Sequence, residues 1–118
     1  IQRINDVTTK SLTNIFPNLE IITGRLFISD NDLTSISGFD NLTTIGESLT
    51  IYGSEWTTAV GNKIPMLESI PEFNELIEIG SSLTIILTKL TTLSGFDYLT
   101  SIGNELNIGQ NIDLKNIL

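Results

Sequence analysis

The sequence predicts an all-β chain: a right-handed, three-sided parallel β-solenoid of about four rungs, each of about two dozen residues. Three observations predict it. Leu, Ile and Phe recur in one spaced pattern along most of the chain. Their clusters are too short for helices, which average about 11 residues. The composition leans on Ile, Leu, Thr, Ser and Asn with little Ala, and β-branched side chains pack well on a pleated surface but crowd a helix.

The clearest repeat is Leu33-Thr-Ser-Ile36-Ser-Gly-Phe39-Asp-Asn-Leu42-Thr-Thr-Ile45-Gly46-Glu-Ser-Leu49-Thr-Ile51. A second copy runs from Leu67 through Phe73, Leu76, Ile79 and Gly80 to Leu83 and Ile85, and a third from Leu90 through Phe96, Leu99, Ile102 and Gly103 to Leu106 and Ile108. Matched positions in the last two copies, such as Ile79 and Ile102, lie a single repeat apart. Those in the first two, such as Ile45 and Ile79, lie further apart, so an insertion of about half a repeat is expected within 53–64. An eroded copy holds Leu12, Ile15, Leu19, Ile22, Leu26 and Ile28, and Leu114-Lys-Asn-Ile117 opens a further one. The chain reads as a single domain over 1–118, with repeats over 12–118, forming one stretch of a longer chain.

Within each repeat the apolar positions fall as LxxI, LxxI and LxI, separated by Gly, Asp, Asn, Ser or Pro. These read as three short strands with turns between them, and Gly46, Gly80 and Gly103 are expected at one corner that needs positive φ. Successive rungs pair in parallel about 4.8 Å apart. Leu, Ile and Phe then form ladders inside, because no single rung buries its own apolar face. A parallel crossover sets the right hand.

Alternation turns Leu26 and Ile28 inward, and therefore Arg25, Phe27 and Ser29 outward. The equivalent outward sets are Ser48, Thr50 and Tyr52; Ser82, Thr84 and Ile86; and Glu105, Asn107 and Gly109. Phe27, Tyr52 and Ile86 thus place large apolar groups on one face, while the other two faces carry mostly Thr, Ser and Glu. The insertion follows Tyr52 and brings Trp56, the one tryptophan. Aromatic groups on a loop above a rigid scaffold are favoured anchors, so Phe27, Tyr52, Trp56 and Ile86 are the candidate partner-binding residues. The competing reading has Trp56 fold back over Phe27 or Tyr52 as a satellite of the core.

Catalytic, cofactor and metal residues are not assigned. With no His and no Cys, Ser-His-Asp, Cys-His and N/S zinc sites are excluded, and no phosphate-cradling glycine motif is present. Glu68, Glu72, Glu75 and Glu78 crowd one repeat, but at positions that carry Thr, Ser, Gly, Asn or Tyr in its neighbours, which reads as a solvated edge and not a paired-carboxylate site. Asp30-Asn31-Asp32 lacks the Gly and Glu of a calcium loop and reads as a turn. The net charge is −8 and the six basic residues are scattered, which argues against nucleic acid and membrane surfaces as partners. No apolar run reaches the roughly 18 residues of a membrane span.

Leu19-Glu-Ile-Ile-Thr-Gly-Arg-Leu-Phe-Ile28 and Phe39-Asp-Asn-Leu-Thr-Thr-Ile-Gly-Glu-Ser-Leu-Thr-Ile51 resemble the receptor L-domain family, the leucine-rich-repeat-like ligand-binding lobes of insulin-type and epidermal-growth-factor-type receptors, with relatives among bacterial surface proteins. The resemblance covers about residues 12–118 and implies a right-handed β-helix that binds a partner protein on the sheet of LxI strands. The absence of cysteine departs from the animal receptors and favours a bacterial relative. The expected function is non-catalytic recognition or adhesion of a protein or glycan, extracellular or at the cell surface. The rivals are a structural spacer within a longer surface solenoid and, more remotely, a polysaccharide-active β-helix enzyme.

Overall fold

The computed structural model describes residues 2–9, 18–29, 38–53, 67–70, 73–111 and 113–117. Their strands are β1 (Gln2–Ile4), β2 (Val7–Thr9), β3 (Leu19–Ile22), β4 (Leu26–Ser29), β5 (Thr44–Ile45), β6 (Leu49–Tyr52), β7 (Glu78–Ile79), β8 (Leu83–Ile86), β9 (Thr92–Leu93), β10 (Ser101–Ile102), β11 (Leu106–Asn107) and β12 (Asn116–Ile117). The described residues are all-β, without a helix.

Every pairing among them is parallel. One sheet runs β1-β3-β5-β7-β10, a second β2-β4-β6-β8-β11, and a third pairs β9 with β12. Each strand therefore lies beside its equivalent in the adjacent repeat. The register repeats the sequence displacement: Ile22 pairs with Ile45, Ile45 with Ile79 and Ile79 with Ile102. The same holds along Leu26, Leu49, Leu83 and Leu106. The step from Tyr52 to Ile86 absorbs the insertion, which apart from Gly53 lies outside the described residues.

Inward positions form the core. Leu19, Ile22, Leu26, Ile28, Leu42, Ile45, Leu49, Ile51, Leu76, Ile79, Leu83 and Ile85 are all buried. Phe39, Phe73 and Phe96 stack in a column, with centroids 6.0 Å and 5.3 Å apart, a separation that suits offset rings. Each Phe carbonyl accepts from the amide three residues on, Leu42, Leu76 or Leu99, at 3.2 Å. One turn thus recurs in all three copies.

The corner glycines serve a purpose other than the expected one. Gly46, Gly80 and Gly103 do not have positive φ; Gly38 (119°) and Gly95 (100°), ahead of the Phe turn, do. A Cβ on Gly80 would collide with the Gly46 carbonyl and lie 2.8 Å from its carbon, and one on Gly103 would meet Gly80 in the same way. The backbone ladder explains this closeness: Glu47 N–H donates to Gly24 O at 2.9 Å, Ser81 to Glu47 at 2.8 Å and Asn104 to Ser81 at 2.9 Å. Stacked corners come too near for a side chain.

The structure also adds a strand pair before residue 12. β1 and β2 pair with β3 and β4, and the Asp6 carboxylate accepts from the Arg25 amide at 3.0 Å. Near the other end, Asn111 makes a polar staple. Its Oδ1 accepts from the Thr88 amide at 3.0 Å and the Thr88 hydroxyl at 2.8 Å, and its Nδ2 donates to Ile85 O at 2.8 Å. Thr88 is fully buried, so these bonds satisfy groups that water does not reach.

Candidate functional site

The second sheet carries the longest regular run of outward side chains, because β4, β6 and β8 each have four residues. Its two outward columns are now defined. Phe27 pairs with Thr50, Thr50 with Thr84 and Thr84 with Asn107; Ser29 pairs with Tyr52 and Tyr52 with Ile86. Tyr52 and Ile86 are lateral neighbours, and Phe27 lies diagonally from Tyr52, two positions back along the adjacent strand. All three are half-buried and none stands free. Trp56 lies outside the described residues, as does the turn Asp30-Asn31-Asp32.

Two expectations change. Ser29, outward by alternation, is only 1% exposed. The largest exposed apolar groups also lie off this face: Ile77 beside β7, Tyr98 on the loop before β10, the inward position Leu106 on β11, and Ile117 on β12. The first two are apolar exceptions on faces that carry mostly Thr, Ser and Glu. Glu68, Glu75 and Glu78 are exposed, and Glu68 lies 3.9 Å from the Lys89 ammonium; Glu72 is outside the described residues.

Beside Phe27 the corner preceding the LxI strands opens into a depression of about 500 Å³. Arg25, Phe27, Glu47, Ser48, Thr50 and Ser81 line it. The residues come from three successive repeats, brought together by the corner ladder. Arg25 Nε lies 3.8 Å from a Glu47 carboxylate oxygen, with both side chains more than half exposed. Such a pair adds little stability in water, but each partner limits where the other points. Ser48 Oγ accepts from the Ser82 amide at 3.3 Å, so its own hydroxyl hydrogen is directed elsewhere.

Sequence reasoning placed Arg25, Phe27, Ser48 and Thr50 outward on one face through strand alternation and missed Glu47 and Ser81. Glu47 and Ser81 share a corner position that holds Gly24 and Asn104 in the neighbouring copies, so a search for what repeats passes over them. Only the displacement between copies, applied to polar positions as well as apolar ones, brings them together.

Comparison with protein-family models, curated proteins and solved structures finds no match. The functional reading rests on the chain itself.

Proposed function

We propose that the chain coils as a right-handed parallel β-solenoid and acts as a non-catalytic recognition module, with the β4–β6–β8 face contacting a protein or glycan at a cell surface. One observation carries the reading: Phe27, Tyr52 and Ile86 occupy adjoining places on the broadest regular face among the described residues, partly exposed on strands fixed by ladders on both sides. A rigid surface bearing aromatic and aliphatic anchors loses little entropy on binding. The receptor L-domain resemblance, the extracellular setting and a bacterial source belong to the same proposal.

The test is binding by the whole domain to an array of extracellular proteins and glycans, with Tyr52→Ala/Ile86→Ala as the variant. Loss of about tenfold or more in affinity, with a melting temperature within a few degrees of the parent, is expected. Unchanged affinity, or a melt lowered as for a core truncation, would sink the assignment of this face.

A spacer role is the second reading. It draws on the exposed Leu106 and Ile117, 56% and 65% accessible, which border an apolar depression of about 140 Å³. A further repeat of the same pattern would cover that surface.

A further inference from the structure

We propose that the depression at Arg25, Phe27, Glu47, Ser48, Thr50 and Ser81 is a subsite for an uncharged saccharide. This deepens the recognition reading and rests on it.

Charge comes first. Arg25 and Glu47 oppose each other across 3.8 Å, so the rim is close to neutral, and the whole chain carries −8. An anion reaching the guanidinium meets the Glu47 carboxylate beside it and a negative protein. A cation reaching the carboxylate meets the Arg25 guanidinium in the same way. A neutral ligand meets neither repulsion, and can hydrogen-bond to both partners on their open sides.

Hydrogen-bonding capacity comes second. The depression offers a guanidinium that only donates, a carboxylate that only accepts, and the Ser48, Thr50 and Ser81 hydroxyls that do both. A matching ligand must be dense in groups that themselves donate and accept, as sugar hydroxyls are. The backbone here is already occupied: Leu26 N–H donates to Ser48 O at 2.9 Å, Glu47 N–H to Gly24 O at 2.9 Å and Ser81 N–H to Glu47 O at 2.8 Å. An extended peptide, which binds a sheet through free main-chain groups at an edge, finds none on this part of the surface.

Shape comes third. The Phe27 ring gives one wall an apolar strip. The negative face of an aromatic ring attracts the weakly positive C–H face of a pyranose, just as it attracts the edge of another ring. A volume near 500 Å³ falls within the roughly 300–1,000 Å³ typical of small-molecule sites. Serine and threonine on strands and tight corners also have little rotamer freedom to lose.

The experiment titrates the whole domain with neutral gluco-, manno-, xylo- and N-acetylglucosamine oligosaccharides, and with their sulfated and sialylated counterparts, while following amide chemical shifts by NMR. At least one neutral member should shift residues 25–27, 47–50 and 81 saturably. Glu47→Gln, which preserves shape, and Phe27→Leu, which keeps an apolar side chain but removes the ring, should each weaken that binding about tenfold or more, the loss expected when a charged hydrogen-bond partner or an aromatic stacking surface is removed. The proposal is overturned if no neutral sugar shifts these amides, if only acidic sugars do, or if both variants bind as the parent does. Array binding that remains sensitive to Tyr52→Ala/Ile86→Ala in that case would leave the recognition reading standing and remove the saccharide subsite alone.

Discussion

The middle repeats and the last described repeat share one pattern but differ in burial. Leu49 and Leu83, in Leu-Thr-Ile triplets, are 0% and 3% exposed, whereas Leu106, in Leu-Asn-Ile, is 56% exposed. Likewise Ile45 and Ile79 are fully buried while Ile102 is half-buried. All of these positions face the same way in register. What differs is the neighbour: among the described residues β6 and β8 have strands on both sides, and β11 has one on one side only. Burial here depends on stacking more than on residue type, the nearest-neighbour behaviour of repeat proteins.

The largest expected effect comes from charging an inward position that is enclosed on both sides. Ile79→Asp places a carboxylate between Ile45 and Ile102, neither of which offers a counterion. An unpaired buried charge costs several kcal/mol against a total stability of about 5–15 kcal/mol. Circular dichroism should show a chain unfolded at room temperature. A cooperative melt near that of the parent would mean that Ile79 has an escape to solvent, and the inward ladder would be wrong.

Next in size is the direct contrast. Leu49→Ala should cost about 2–5 kcal/mol, the range for truncating a buried leucine. Leu106→Ala, by the same chemistry at a half-open site, should cost less than about 1 kcal/mol. Urea midpoints measured at equal slope provide the comparison. Equal losses would show that Leu106 is covered in solution, and the two regions would then be alike.

The parts of this architecture legible in sequence are those that repeat. The displacements between copies reappear as strand register, and Phe39, Phe73 and Phe96 as a stacked column. β1 and β2 escaped notice because Ile4-Asn-Asp-Val7 has no leucine and no glycine, with an Asp6 carboxylate accepting at the first corner. The corner glycines were visible as residues, but their cause was not: closeness between repeats is set by a carbonyl at the equivalent corner of the preceding copy, not by local φ. At the site, alternation placed Phe27, Tyr52 and Ile86 on one face, but it also placed Ser29 outward, where the structure buries it. Thr43 is a similar case. It reads as a bland outward threonine, yet it is half-buried and its hydroxyl donates to Glu20 O at 3.0 Å. It is therefore a poor control for the inward ladder.

Ser101 is the better control, and it gives the smallest effect. It is exposed on β10, which is paired on one side only, and its lateral partner is Glu78. Ser101→Lys puts opposite charges side by side on adjacent strands, and Ser101→Asp puts like charges there. Cross-strand pairs of this kind are worth roughly 0.2–1 kcal/mol, with the sign set by charge. Lysine should therefore raise the melting temperature slightly and aspartate lower it. Both shifts should shrink toward zero at about 1 M salt, where the screening length falls to about 3 Å. Thermal melts at low and high salt separate the two contributions. A loss that persists in high salt would be a packing loss, placing Ser101 against the core in the way its neighbour Ile102 is. The distinction between a one-sided end and a two-sided middle would then fail at the strand where it should be plainest.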